Sequence, residues 1–114
     1  MKLFQDTLAA MLVANPKLPG QACRVLNYVM AASAWGNGLP TAAETAEALG
    51  VQRTAVVRSY RQLKEAKFII KRGTHWFLNP LVGWKGTEKG LEKAYREMYD
   101  LDGPEPFRVV TNAS

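Results

Sequence analysis

The sequence predicts a mainly α fold carrying one small β-hairpin, an α+β class, on three observations. Five stretches place apolar residues at helical spacing, two short β-prone runs are joined by Gly73-Thr74, and Gly or Asn-Pro signals punctuate the chain between them. With 114 residues, 47% of them hydrophobic and 22% charged, the chain is long and apolar enough for one buried core. It has no internal repeat and no low-complexity stretch.

The first helix is expected from Leu3 to about Ala14, with Phe4, Leu8, Met11 and Leu12 recurring at helical spacing before Asn15-Pro16 stops the pattern. A second runs from about Gln21 to Ala34, with Ala22, Val25, Leu26, Val29 and Met30 on one stripe, and ends at Gly36-Asn37-Gly38. Thr41 and Glu44 then have capping-box spacing, each side chain able to satisfy the other's backbone N–H. The short helix they open is expected to bury Ala43, Ala46 and Leu49 and to leave through Gly50, which lacks the Cβ that opposes a left-handed exit.

A third long helix is read from about Arg53 to Lys67, with Val56, Tyr60 and Leu63 as its inner stripe and Arg53, Thr54, Val57, Arg58 and Arg61 outside. The runs 68–72 and 75–78 form the hairpin, which Asn79-Pro80 closes. The last helix starts near Thr87 as N-cap, sets Leu91, Ala94, Tyr95, Met98 and Leu101 on one face, and pairs Glu92 with Arg96 and Lys93 with Glu97 outside. Asp102-Gly103-Pro104 breaks it. In the tail, Phe107 to Val110 reads as an added strand, as a segment pairing with a second subunit, or as a loose terminus.

Charge is distributed unevenly. The net value is +5, yet residues 52–86 hold eight basic side chains against Glu65 alone, while the rest of the chain holds seven basic and nine acidic ones. A field of one sign on a third of a small chain attracts a polyanion. A single cysteine, Cys23, excludes an internal disulfide, and with the single histidine, His75, it cannot supply the three or four ligands of a zinc site, so no metal or other cofactor is expected. Cys23 reads as a buried small residue, and Trp35, Trp76 and Trp84 as core aromatics rather than base-stacking platforms.

Helix, short helix, tight Gly turn, basic helix, basic hairpin is the order of a winged helix-turn-helix. The segment 43–58, with its small Ala residues and Leu49-Gly50-Val51 across the turn, resembles the motif of bacterial winged-helix DNA-binding proteins. A major groove admits one helix whose inner stripe stays on the core while its outer stripe offers donors. Arg53, Arg58 and Arg61 suit guanine edges or phosphate, Gln52 suits adenine or phosphate, and Val57 can touch a thymine methyl, with Thr54 alongside. Thr41 completes the set at the start of the preceding helix. In the hairpin, Lys71, Arg72, Thr74 and His75 are expected to lie along the DNA backbone or in the minor groove.

The run Phe68-Ile69-Ile70-Lys71-Arg72, then Trp76-Phe77-Leu78-Asn79-Pro80 and Trp84-Lys85-Gly86, is similar to the RepL-type plasmid replication proteins, small winged-helix initiators, over about residues 20 to 100. That resemblance implies binding at a plasmid or phage origin and recruitment of host replication proteins. The organisation expected is an N-terminal helix and linker suited to dimerisation (1–19), a winged helix-turn-helix domain (20–80), a C-terminal helix packed on it (81–102) and a tail (103–114). The partners expected are double-stranded DNA, a second copy of the chain, and host replication or transcription proteins.

Enzymatic readings fail on residue types. One histidine cannot build a two-histidine nicking centre or a Ser-His-acid set, and the glycines never form a phosphate-binding loop, so the chain is expected not to be an enzyme. No apolar run approaches the roughly 18 residues of a membrane span, and the start, Met1-Lys2-Leu3-Phe4-Gln5-Asp6, lacks signal-peptide organisation. A cytoplasmic protein associated with nucleoid or plasmid is the expectation. From another class, a winged-helix protein-interaction module docking an acidic partner remains the alternative, disfavoured because a docking face should expose larger apolar groups.

Overall fold

The computed structural model describes residues 1–101. In chain order the elements are β1 (Lys2–Leu3), α1 (Gln5–Ala14), α2 (Gly20–Ala32), α3 (Ala42–Leu49), α4 (Arg53–Glu65), β2 (Ile69–Arg72), β3 (His75–Leu78), β4 (Gly83–Trp84) and α5 (Glu88–Leu101). The described chain is therefore mainly helical, with a β2–β3 hairpin and a second two-stranded antiparallel pair, β1 with β4. No helix among these residues is long and apolar enough to cross a membrane. The expectations for residues 103–114, including the strand or subunit contact through Phe107 to Val110, lie outside the described residues.

The core forms where α4 packs on α2 and α3 and on the base of the hairpin. Val56, Tyr60 and Leu63 of α4 meet Ala22, Val25, Leu26 and Val29 of α2, with Phe68, Ile69, Leu78 and Val82 closing the hairpin side, all of them buried. One stripe on each helix supplies this core, which is why three- and four-residue spacing located it. In α3 the buried pair is Thr45 and Ala46, whereas Ala43, expected inside, is exposed. The reason is polar. Tyr60 Oη donates to the Pro40 carbonyl at 2.7 Å and lies 2.9 Å from Thr45 Oγ1, which must then be the donor of that pair. A buried phenol needs partners, and α3 turns Thr45 inward to supply one.

The ends of α3 and α4 share one hydrogen-bond pattern. In α3, Gly50 at φ +68° sends its N–H to Glu47 O and Val51 sends its N–H to Ala46 O. In α4, Lys67 at φ +71° sends its N–H to Lys64 O and Phe68 sends its N–H to Leu63 O. Both are Schellman terminations, and the second carries the usual apolar contact, Phe68 over Leu63. Helix α4 thus stops at Glu65, short of the expected Lys67, because the chain must reverse into β2. Asn79 holds that reversal by donating from Nδ2 to the Lys67 carbonyl at 2.7 Å.

In the hairpin, Ile69 pairs with Leu78, Ile70 with Phe77, Lys71 with Trp76 and Arg72 with His75. Gly73 has φ +59° and Thr74 no positive φ, as a two-residue turn of type II′ requires. The α2–α3 loop lies along the far edge of β3, with Leu39 N–H donating to Trp76 O and Leu78 N–H donating to Asn37 O. Asn37 is buried at positive φ, and its side chain donates to the carbonyls of Leu78 and Gly83 and accepts from Lys85 N–H. This one amide ties the loop, β3 and β4 together.

Several expectations are corrected. Helix α1 begins at Gln5 rather than Leu3, because Lys2 and Leu3 pair with Trp84 and Gly83 and the Phe4 N–H donates to Val82 O. Helix α2 ends at Ala32 rather than Ala34, since Ser33 is extended and its hydroxyl donates to Met30 O. Trp35, left on that turn, is 71% exposed and no part of the core. Cys23 is only partly buried. Helix α5 keeps its expected start, with Gly90 N–H donating to Thr87 Oγ1 at 3.0 Å, and both its expected ion pairs are present at 3.8 and 4.0 Å.

Candidate nucleic-acid interface

The outer face of α4 is set by what its inner face must do. With Val56, Ser59, Tyr60 and Leu63 buried, helical geometry turns Arg53, Thr54, Val57, Arg58 and Arg61 away from the core, and all five are exposed. Residues 54, 57, 58 and 61 follow i, i+3, i+4, i+7 spacing, and Arg53 continues the row at the N-terminal end. Among the described residues, none of these three arginines forms an ion pair, for Arg72–Glu97, Lys93–Glu97 and Arg96–Glu92 all involve α5. Their guanidinium forks are therefore open to an outside acceptor. Val57, 41% exposed, is the one large apolar side chain on this face.

Gln52 is the N-cap of α4, extended at φ −73° and ψ 145°, and its side chain makes no capping bond. It too is exposed, and its amide stands at the α3–α4 turn beside Arg53. Thr41 is occupied locally, since its Oγ1 accepts from Glu44 N–H at 3.1 Å while its own N–H donates to Glu44 Oε1 at 3.0 Å. That backbone N–H, followed by the Thr41 hydroxyl, holds the Glu44 carboxyl below its ordinary range, so a negative charge accompanies Thr41. Thr41 is thus engaged by Glu44 through both its N–H and its hydroxyl.

The hairpin divides its expected contacts. Side chains directly opposite share a face, so Ile69, Lys71, Trp76 and Leu78 lie on one side, and Ile70, Arg72, His75 and Phe77 on the other. The first side packs on α4: Trp76 meets Tyr60 edge-on, with centroids 5.3 Å apart at 71°, and Lys71 Nζ stands 5.0 Å from the Trp76 ring centre. Lys71 is thereby held, exposed, on the side of the hairpin that packs on α4. Thr74 is exposed at the tip. Arg72 turns the other way, ion-paired to Glu97 of α5 and lying 5.3 Å from the Phe77 ring. It braces the hairpin against α5 instead of extending the outer basic face, and His75, exposed, shares its side.

Two residues outside the expected set bear on this surface. Lys64 is exposed and continues the row one turn beyond Arg61, a position the spacing 57, 61, 64 makes legible. Asn37 fixes the hairpin from behind through the contacts described above, and its Gly-Asn-Gly setting signals a turn but not a buried amide. No protein-family model matches the chain, and no curated protein or solved structure proved similar to it.

Proposed function

We propose that this chain is a winged helix-turn-helix protein that binds double-stranded DNA sequence-specifically, serving a plasmid or other mobile element as a replication initiator or transcriptional regulator. The observation that carries the reading is the exposed, unpaired row Arg53, Thr54, Val57, Arg58 and Arg61 on a helix whose opposite face is locked into the core. Such a helix enters a major groove without disturbing its own packing, and its forked donors match guanine O6 and N7 or phosphate oxygens. Lys71 and Thr74 would meet the sugar-phosphate backbone, supplying affinity without sequence information. One helix and one hairpin read half of a usual site, so the working form is a dimer on a two-fold symmetric target. The replication role, with recruitment of host proteins, rests on the resemblance to RepL-type initiators.

Selection of bound sequences from a random duplex library at physiological salt tests this. A two-fold symmetric motif with half-sites about one helical turn apart is expected. Arg58→Ala then lowers specific affinity by about 1–3 kcal/mol, while Lys71→Ala weakens all sequences alike and flattens the salt dependence. Absence of enrichment, with weak binding that vanishes as salt rises, overturns the reading and leaves a protein-docking module.

A further inference from the structure

On the hairpin side that carries Ile70, Arg72 and Phe77, the α2–α3 turn and α5 border an open cavity of about 370 Å³. That volume falls within the roughly 300–1,000 Å³ of small-molecule sites. Its walls are aromatic: Trp35 from the turn, Phe77 from β3 and Trp84 from β4, with Ile70 beneath. Trp84 is held in place, its Nε1 donating to Thr87 O at 2.8 Å and its ring so near Gly86 that a Cβ there would come within 2.8 Å. Trp35, which also lines the cavity, is 71% exposed.

The polar wall is Arg72, Lys93 and Glu97, two positive charges against one negative. Glu97 takes a terminal nitrogen of Arg72 and stands 4.0 Å from Lys93 Nζ, which is otherwise exposed. Arg72 Nε is buried with no acceptor. A buried donor without a partner is uncommon. The wall thus has surplus positive charge beside aromatic rings.

We propose that this cavity binds a small aromatic carboxylate. Its ring lies among Trp35, Phe77 and Trp84, and its carboxylate accepts from Lys93 and from the Arg72 guanidinium. An organic cation is disfavoured because Arg72 already occupies the face of Phe77, 5.3 Å from its centre. A purely apolar ligand would leave the surplus charge unmet. One wall belongs to the hairpin and another to α5, so an occupant couples the two. That such coupling would adjust a DNA contact rests on the function proposed above, whereas the binding itself does not.

The test titrates the full chain, without DNA, with 2-naphthoate and follows the tryptophan indole N–H signals by NMR. The expected result is saturable binding that moves Trp35 and Trp84 and leaves Trp76, which packs on Tyr60, unmoved. The uncharged 2-naphthamide and the variant Lys93→Glu, at an exposed position, should each weaken binding by about fivefold or more, the scale of a partly exposed ion pair. Ala94→Trp, which fills the cavity, should abolish it. Non-saturable shifts, equal affinity for the amide, indifference to Lys93→Glu, or shifts centred elsewhere each overturn the site while leaving the DNA-binding reading to its own test.

Discussion

Helices α1 and α4 are made of opposite material and have opposite fates. Helix α1 has one charged side chain, Asp6, in ten residues, yet none of its residues is buried, and Leu12 and Val13 stand 40% and 80% exposed. Helix α4 has five charged side chains in thirteen residues, yet it buries Val56, Ser59, Tyr60 and Leu63 on its core side. In α1 the apolar residues run consecutively from Leu8 to Ala14 and so face every direction, whereas in α4 they recur as one stripe. Arrangement against a partner, rather than apolar content, decides burial.

The sharpest way to break that contrast is Leu63→Ala, which opens a cavity at a fully buried site and should cost about 2–5 kcal/mol in denaturant unfolding. Next comes Tyr60→Phe. It strands the Pro40 carbonyl and the Thr45 hydroxyl, for an expected loss of about 1–3 kcal/mol. Burial above all raises the pKa of the Tyr60 phenol above its ordinary value, only partly offset by the Thr45 bond. The folded state therefore holds that proton more tightly than the unfolded chain. Stability from this group is fully present below the unfolded phenol value of about 10 and is lost as pH rises beyond it. Stability measured across alkaline pH should fall more steeply in the parent chain than in Tyr60→Phe.

A smaller effect separates the two helix ends. Gly50→Ala puts a Cβ at φ +68° and should cost about 1–2 kcal/mol. Lys67→Gly, at φ +71°, should instead stabilise by up to about 1 kcal/mol, since the left-handed strain it removes exceeds the entropy it adds. The smallest effect belongs to α1, where Val13→Ser should change thermal stability by less than about 0.5 kcal/mol. A loss like that of Leu63→Ala would mean that α1 is covered in solution by a second copy.

These contrasts also mark what was legible in the residues. Gly50 announced its helix end because glycine is the residue that tolerates the left-handed region, while Lys67 adopts the same conformation with no such sign. The capping box was legible because both of its bonds are local, three residues apart. The β1–β4 pair was not, since it joins Lys2 to Trp84 across most of the described chain and two-residue strands have no period to read. On the candidate interface, the α4 row followed from the helical period alone. The split of Lys71 from Arg72 needed the partner of each, Trp76 on one side and Glu97 on the other.

By itself, then, the sequence determined the helices, their stripes, the hairpin and the face on which positive charge gathers, because each rests on spacing within one element and on side-chain chemistry. Only the tertiary structure decided that Thr45 turns inward to the Tyr60 hydroxyl, that Trp35 stays outside, that Asn37 ties three segments together and that Arg72 faces α5. Thr45, Asn37 and Arg72 each satisfy a buried polar group or place a charge through residues distant in the chain, and no local pattern encodes which distant partner will arrive.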